Sequence, residues 1–233
     1  MDKIKYLSRI KLFDGLELEQ LQKLEPVTPL NIIRKNRMIA FPGELQKRLF
    51  LIKSGVVRLY RISSTGKELT VDLLGSGHIF GEVGSFTTGT EHLYAETKED
   101  SVICTLDKDQ FEAIVMRHPE LGLKFIEMVS SRLKEMEEML EMLAYGSIRQ
   151  RLLYLLHKLA QKFGRALESD GDWLQLEISM THQELASMAG SIRETVTEQL
   201  NQFVSEGLVR KAGPRSALLL QPERIRKAMH NSV

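Results

Sequence analysis

"THQELASMAGSIRETVTEQLNQFVSEGLVRKAGPRSALLL" (residues 181–220) is the stretch that decides the C-terminal fold. It opens on Thr181 and Glu184, a Thr-x-x-Glu pattern. In such a pattern the hydroxyl and the carboxylate each satisfy a backbone N–H that a helix start leaves unpaired. Ser191 and Glu194 repeat the pattern ten residues on, which predicts a second helix there. Gly190 is placed to end the first helix. Two short helices about a tight glycine turn form a helix-turn-helix. Leu185, Ala186, Ala189, Ile192, Val196, Leu200 and Phe203 supply its inner face. "GLVRKAGPRSALLL" then reads as a wing hairpin, with Arg210, Lys211 and Arg215 suited to phosphate contact.

The start of the second helix in such a motif faces base edges in the major groove. Here it carries Ser191, Arg193, Glu194, Thr197 and Glu198. Arginine bonds bidentately to guanine, and a carboxylate accepts from cytosine N4. Thr197 suits a thymine methyl or a phosphate. Glu198, a carboxylate among phosphates, must pair with an arginine or accept from cytosine. Thr181, Arg210 and Lys211 complete the expected DNA contacts.

The chain has 233 residues, long enough for two domains, and a formal net charge of +1. A balance this even offers no global attraction to nucleic acid, so DNA binding must come from a local surface. No apolar run is long enough to span a bilayer, and "MDKIK" leads into an amphipathic pattern rather than a signal-peptide core. The expectation is a cytoplasmic protein without a membrane partner. One cysteine, Cys104, excludes an intramolecular disulfide and an iron–sulfur cluster held by thiolates. No paired carboxylates, metal-ligand cluster or nucleophile elbow stands out, so neither an enzyme nor a metal site is expected.

Upstream the texture differs. Leucines and isoleucines among charges predict short helices up to Leu24. From Val27 to Leu106 short alternating segments are broken by glycine corners, as in a barrel or jelly roll. His118 and Pro119 open a long helical pattern. Along it Ile126, Val129, Leu133, Met136, Leu140 and Leu143 are spaced 3, 4, 3, 4, 3. That seam of period 3.5 predicts a parallel dimer helix. A second helix follows from about Ser147 to Phe163, then a turn at "RALESDGDW" and a short strand at "LQLEIS". The expected organisation is a roll with N-terminal helices at 1–117, a dimerisation helix at 118–145 and a winged helix-turn-helix at 146–233. The fold class is α+β.

"FGEVGSFTTGTEHLYAE" (residues 80–96) sits inside the roll pattern. A glycine-punctuated loop of this kind can point backbone N–H groups at an anion.

Together with "FPGE" (residues 41–44), "LIKSGVVRLYR" (51–61), "FGEVGSF" (80–86) and "GSIRETV" (190–196), this order of parts resembles the cyclic-AMP receptor protein / fumarate-nitrate regulator family of bacterial transcription regulators. The resemblance implies a homodimer on a palindromic operator, each recognition helix in one of two major grooves about 34 Å apart, with RNA polymerase as a further partner. Arg193 and Glu194 match the family's base readers, which implies a TGTGA-like half-site; the next reader, an arginine, falls on Glu198. An effector in the roll would reposition the long helices. Gly81 and Glu82 match the family's ribose pair, and Arg132 its long-helix arginine. Its arginine-serine phosphate clamp falls on His92 and Leu93, and its threonine-serine pair on Met136 and Glu137. A leucine offers a phosphate nothing, so cyclic AMP is not the expected effector. Three alternatives stay open: a smaller anion such as 2-oxoglutarate at His92 and Arg132, a haem on His78 or His92, or no effector. From another class, a ligand-binding module with a protein-interaction C-terminal domain is the rival reading.

Overall fold

A computed structural model describes residues 7, 8, 10–24, 30–42, 48–84, 86–167, 170–212 and 217–230. Gly43 and Glu44 of "FPGE", Ser85 of the loop and Arg215 of the wing lie outside the described residues. The chain forms two compact units, Met1–Glu135 and Met136–Val233.

The first unit opens with a 3-10 turn, Lys11–Phe13, and helix α1, Leu18–Leu24. Nine strands follow: β1 Leu30–Ile33, β2 Met38–Ala40, β3 Arg48–Ser54, β4 Val57–Ile62, β5 Glu68–Leu74, β6 Ile79–Val83, β7 Phe86–Thr87, β8 Tyr94–Thr97 and β9 Ser101–Asp107. They pair into a five-stranded sheet, β1-β9-β3-β6-β7, and a four-stranded one, β2-β8-β4-β5. Successive strand side chains point to opposite faces, and in β3 both faces are buried. Leu49 and Leu51 join one core with Cys104, Leu106 and the apolar residues of the N-terminal turns. Phe50 and Ile52 join another with Leu59, Leu74 and Ala95 of the four-stranded sheet. This is why Leu49 to Ile52 form an unbroken apolar run instead of alternating with polar residues. Cys104 is a buried core residue.

Asp107 caps helix α2, Lys108–Arg117, with the reciprocal Gln110 bond. Helix α3 runs Pro119–Tyr145. Its Leu121 and Phe125 are buried in the roll core, and Met128 and Val129 pack against that core. Val129 thus departs from the expected seam. The other seam residues, Ile126, Leu133, Met136, Leu140 and Leu143, are 41–68% exposed, as is Leu123, which the 3.5-residue count did not include.

In the second unit, Ser147 and Gln150 form the capping box of α4, Ile148–Phe163. The segment expected as a turn contains strand β10, Gly164–Leu167, paired with β11, Asp170–Leu176. β12, Val209–Ala212, and β13, Ala217–Leu220, complete a sheet of order β10-β11-β13-β12. Helices α5, His182–Ala189, and α6, Arg193–Ser205, form the helix-turn-helix, and α7, Pro222–His230, closes the chain.

Two expectations for the helix-turn-helix fail. Ser191 does not cap α6: the N-cap is Ile192, with extended backbone and no side-chain cap. Ser191 is held instead by the preceding helix, its N–H donating to the Ala186 carbonyl at 2.9 Å while Gly190 adopts φ 61°. Ile192 is also not part of the inner face, for it is 63% exposed. At an N-cap the backbone leaves helical geometry, so the spacing of Ile192 from Val196 no longer puts both on one face. Leu185, Ala186, Ala189, Val196, Leu200 and Phe203 are buried as expected.

Candidate functional site

Four sets of contacts hold α5 and α6. Thr181 caps α5 in a full capping box: its hydroxyl accepts from Glu184 N–H at 3.1 Å, and its N–H donates to Glu184 Oε2 at 2.8 Å. One residue on, His182 Nδ1 lies 2.7 Å from Thr197 Oγ1. That hydroxyl donates to the Arg193 carbonyl at 2.8 Å. Its proton is therefore committed, and the ring Nδ1–H must be the donor to it. At the other end of α6, Arg149 grips Glu206 with two bonds of 2.9 and 2.6 Å and stacks on Phe203. Those bonds hold the Glu206 carboxyl below its usual range. Beneath the turn, Arg151 Nη1 donates to the Ala189 and Gly190 carbonyls, a cation at the C-terminus of α5.

The face of α6 so held is open. Arg193, Glu194 and Glu198 are exposed, and among the described residues their side chains make no hydrogen bond or ion pair. Among the described residues, then, no arginine pairs with Glu198. Ser191 is half-buried at the turn just before the helix. Thr197 has spent its hydroxyl internally, which favours its methyl group as the outward contact. The wing residues diverge. Lys211 reaches back to Asn201 Oδ1 at 3.0 Å. Arg210, its neighbour on β12, lies 4.0 Å over the Trp173 ring, on the other face of the strand. His182 is the residue that sequence reasoning missed. Its signal was its place, directly after a helix N-cap. Burial first, then the positive charges of Lys211 and Arg193, push its imidazole pKa down.

In the roll, the loop after β6 uses its own donors. Gly81 N–H donates to Thr90 Oγ1 at 2.9 Å, Gly89 N–H to Thr87 Oγ1 at 2.9 Å, and Leu93 N–H to the Thr90 carbonyl at 3.0 Å. Thr88 returns both its N–H and its hydroxyl to the Gly81 carbonyl. Glu82 accepts from Thr87 Oγ1 at 3.1 Å. Burial and the neighbouring Glu91 carboxyl raise the Glu82 pKa.

Among the described residues no hydrogen bond or ion pair joins the expected effector residues to one another. His92 is exposed and pairs with Glu91 at 2.7 Å. Leu93 is buried in the roll core. Arg132 lies 3.8 Å from Asp72, which shares the inner face of its sheet with Leu59. Among the described residues no bond joins Arg132 to Glu82 or His92, and the Arg132 Nε is buried without a partner. Met136 is 48% exposed on α3. His78 turns its Nδ1 to the Gly75 carbonyl. No group of three histidine, cysteine or acidic side chains suited to a metal occurs among the described residues, and none of their helices is long and apolar enough to cross a membrane.

A strand roll, a long helix and a winged helix-turn-helix together define a sensor-linked transcription regulator. Residues 31–118 match the cyclic nucleotide-binding domain, and residues 150–228 the Crp-like helix-turn-helix domain. The chain is 32% identical over 215 residues to the cyclic AMP receptor protein of Thermus thermophilus, spanning 90% of this chain and 94% of that protein. It is also 32% identical over 174 residues to the global nitrogen regulator of a Synechocystis species, spanning 72% of this chain and 75% of that one. A CooA mutant from Carboxydothermus hydrogenoformans superposes with a TM-score of 0.74 at 25% identity, over 95% of each chain. The chain belongs to the Crp/Fnr family of transcription regulators.

Proposed function

We propose that the protein acts as a homodimer that reads a palindromic operator through Arg193, Glu194 and Glu198, and that cyclic AMP does not control it. One observation carries the DNA reading: α6 presents exposed charged side chains, unpaired among the described residues, from a backbone clamped at both ends. Side chains already positioned and unpaired are what direct base readout needs. Arg193 and Glu194 suit a guanine and a cytosine within a TGTGA-like half-site. Thr181, Ser191 and Lys211 flank them as phosphate contacts. Arg210, stacked on Trp173, must leave that ring or contact DNA from the wing's far face. RNA polymerase is the partner through which such a regulator would activate transcription.

The dimer reading rests on α3. Exposed leucine, isoleucine and methionine side chains recur along it at seam spacing, and an exposed apolar stripe of this kind marks a protein contact.

The two relatives named for different signals are equally identical to this chain, so the effector must be argued from residues. The N–H groups of Thr88, Gly89 and Leu93 bond within the protein, Leu93 fills the core where a phosphate clamp would stand, and Asp72 adds negative charge beside Arg132. An entering cyclic phosphate would meet the Asp72 carboxylate 3.8 Å from Arg132. These features support an effector-independent roll, or one that takes a ligand other than a cyclic nucleotide.

The test is selection of a binding site from random duplexes, followed by titration against salt. Wild type should select a palindrome and bind it with a steep salt dependence, and Arg193→Ala should lose preference at one base pair per half-site. An Arg193→Ala protein with full preference would sink this reading. Cyclic AMP should leave affinity unchanged; a shift of about tenfold, near 1.4 kcal/mol, would overturn that part.

A further inference from the structure

Ile192 is an anomaly at the one place where the structure can least accommodate it. N-cap positions favour serine, threonine, aspartate and asparagine, whose oxygen satisfies an open N–H of the helix, and isoleucine ranks among the poorest choices. Ile192 makes no capping bond. It adds nothing to packing either: it is 63% exposed, while the neighbouring apolar side chains of the helix-turn-helix are buried. Its backbone is nevertheless held. Gly190 is in the left-handed region, and the Ser191 N–H is bonded to Ala186. A β-branched side chain on a fixed backbone has few rotamers left. Ile192 is thus a stiff apolar knob at the tip of α6, adjacent in sequence to Arg193 and Glu194.

We propose that Ile192 is a specificity-determining residue whose side chain packs on the 5-methyl group of a thymine. This rests on the DNA reading above and deepens it. The major groove presents one apolar group among its donors and acceptors, the thymine methyl. Among base edges, that methyl is the group a side chain with no polar atom can recognise. It reads the base pair beside the one bonded by Arg193, and it selects for thymine by burying methyl against methyl.

The experiment uses the full-length protein and the operator it selects. Each thymine of the operator is replaced in turn by deoxyuridine, which deletes the methyl and keeps base pairing, and binding is followed by fluorescence anisotropy. One symmetry-related thymine per half-site should weaken wild-type binding by about three- to fivefold when its methyl is removed. Ile192→Ser should bind the parent operator more weakly and be indifferent to that replacement, whereas Ile192→Val should keep the dependence. Serine is a favoured N-cap, so this variant does not threaten the fold. Wild-type binding that is indifferent to uracil at every position overturns the inference, as does a serine variant with undiminished methyl dependence. A protein that selects no operator overturns the DNA reading itself, and does so at the first step.

Discussion

Gly81 has φ +97°, and a Cβ built there would sit 2.3 Å from the Arg48 carbonyl oxygen. Neither the dihedral nor the space admits another residue. Gly81→Ala should destabilise the roll by about 2–4 kcal/mol, read as a lower urea midpoint. The glycine lets β6 approach β3 closely, a structural reason that stands beside any role in ligand contact. His182 makes a different kind of prediction. Burial first, then Lys211 and Arg193, push its pKa below the ordinary value. The fold therefore favours the neutral ring. Its stability contribution is fully present above the unfolded pKa, about 6.5, and is lost as pH falls from there towards the lower folded value. The Nδ1–H bond to Thr197 survives protonation, so the loss comes from burial of charge and repulsion. Urea unfolding from pH 7.5 to 5.5 should show wild type losing stability relative to His182→Gln as pH falls. Parallel curves would show that the ring is not held neutral.

At the scale of elements, α5 is defined by its two ends, the Thr181–Glu184 box and the left-handed Gly190. Thr181→Ala removes the hydroxyl that accepts from Glu184 N–H and should cost about 1 kcal/mol, seen as a lower thermal midpoint with little change in helical content. The box at Thr181 was legible because every atom of it lies within four residues. The same pattern at Ser191 was not, because the Ser191 N–H is taken by Ala186 in the preceding helix. Strand β10 was missed for a related reason. "RAL" has no alternation, lies at the sheet edge and carries a bulge between Ala166 and Leu167, so only its pairing with β11 defines it. The loop after β6 was read as open to an anion from its glycines. Several of its donors bond instead to the chain's own Thr87, Thr90 and Gly81, a set of partners that loop composition does not reveal.

For the molecule as a whole, the seam on α3 carries the testable consequence. Leu140 is 68% exposed, so Leu140→Glu removes little buried surface from the chain that bears it. If two copies pair along α3, the variant buries two carboxylates in one interface. It should be monomeric by sedimentation equilibrium, with helical content preserved by circular dichroism. A Leu140→Glu protein that stays dimeric would move the interface elsewhere. Val129 shows the limit of reading such a seam by spacing. It has the right period, yet it packs against the roll core, because where α3 runs beside the roll the same turn faces its own unit.

The sequence by itself determined the order of parts: strand-rich roll, long helix, winged helix-turn-helix. Each follows from local patterns of alternation, period and capping, which act over a few residues. It also determined which side chains stand at the start of α6, since chain order alone puts Arg193 and Glu194 there. Tertiary structure decided what is free to act. It withdrew Ser191 from capping and Ile192 from the core, spent the Thr197 hydroxyl on His182 and Arg193, closed the anion loop on itself and turned Arg132 to Asp72. Hydrogen bonds and burial between residues far apart in sequence assign those partners, and no local pattern records them.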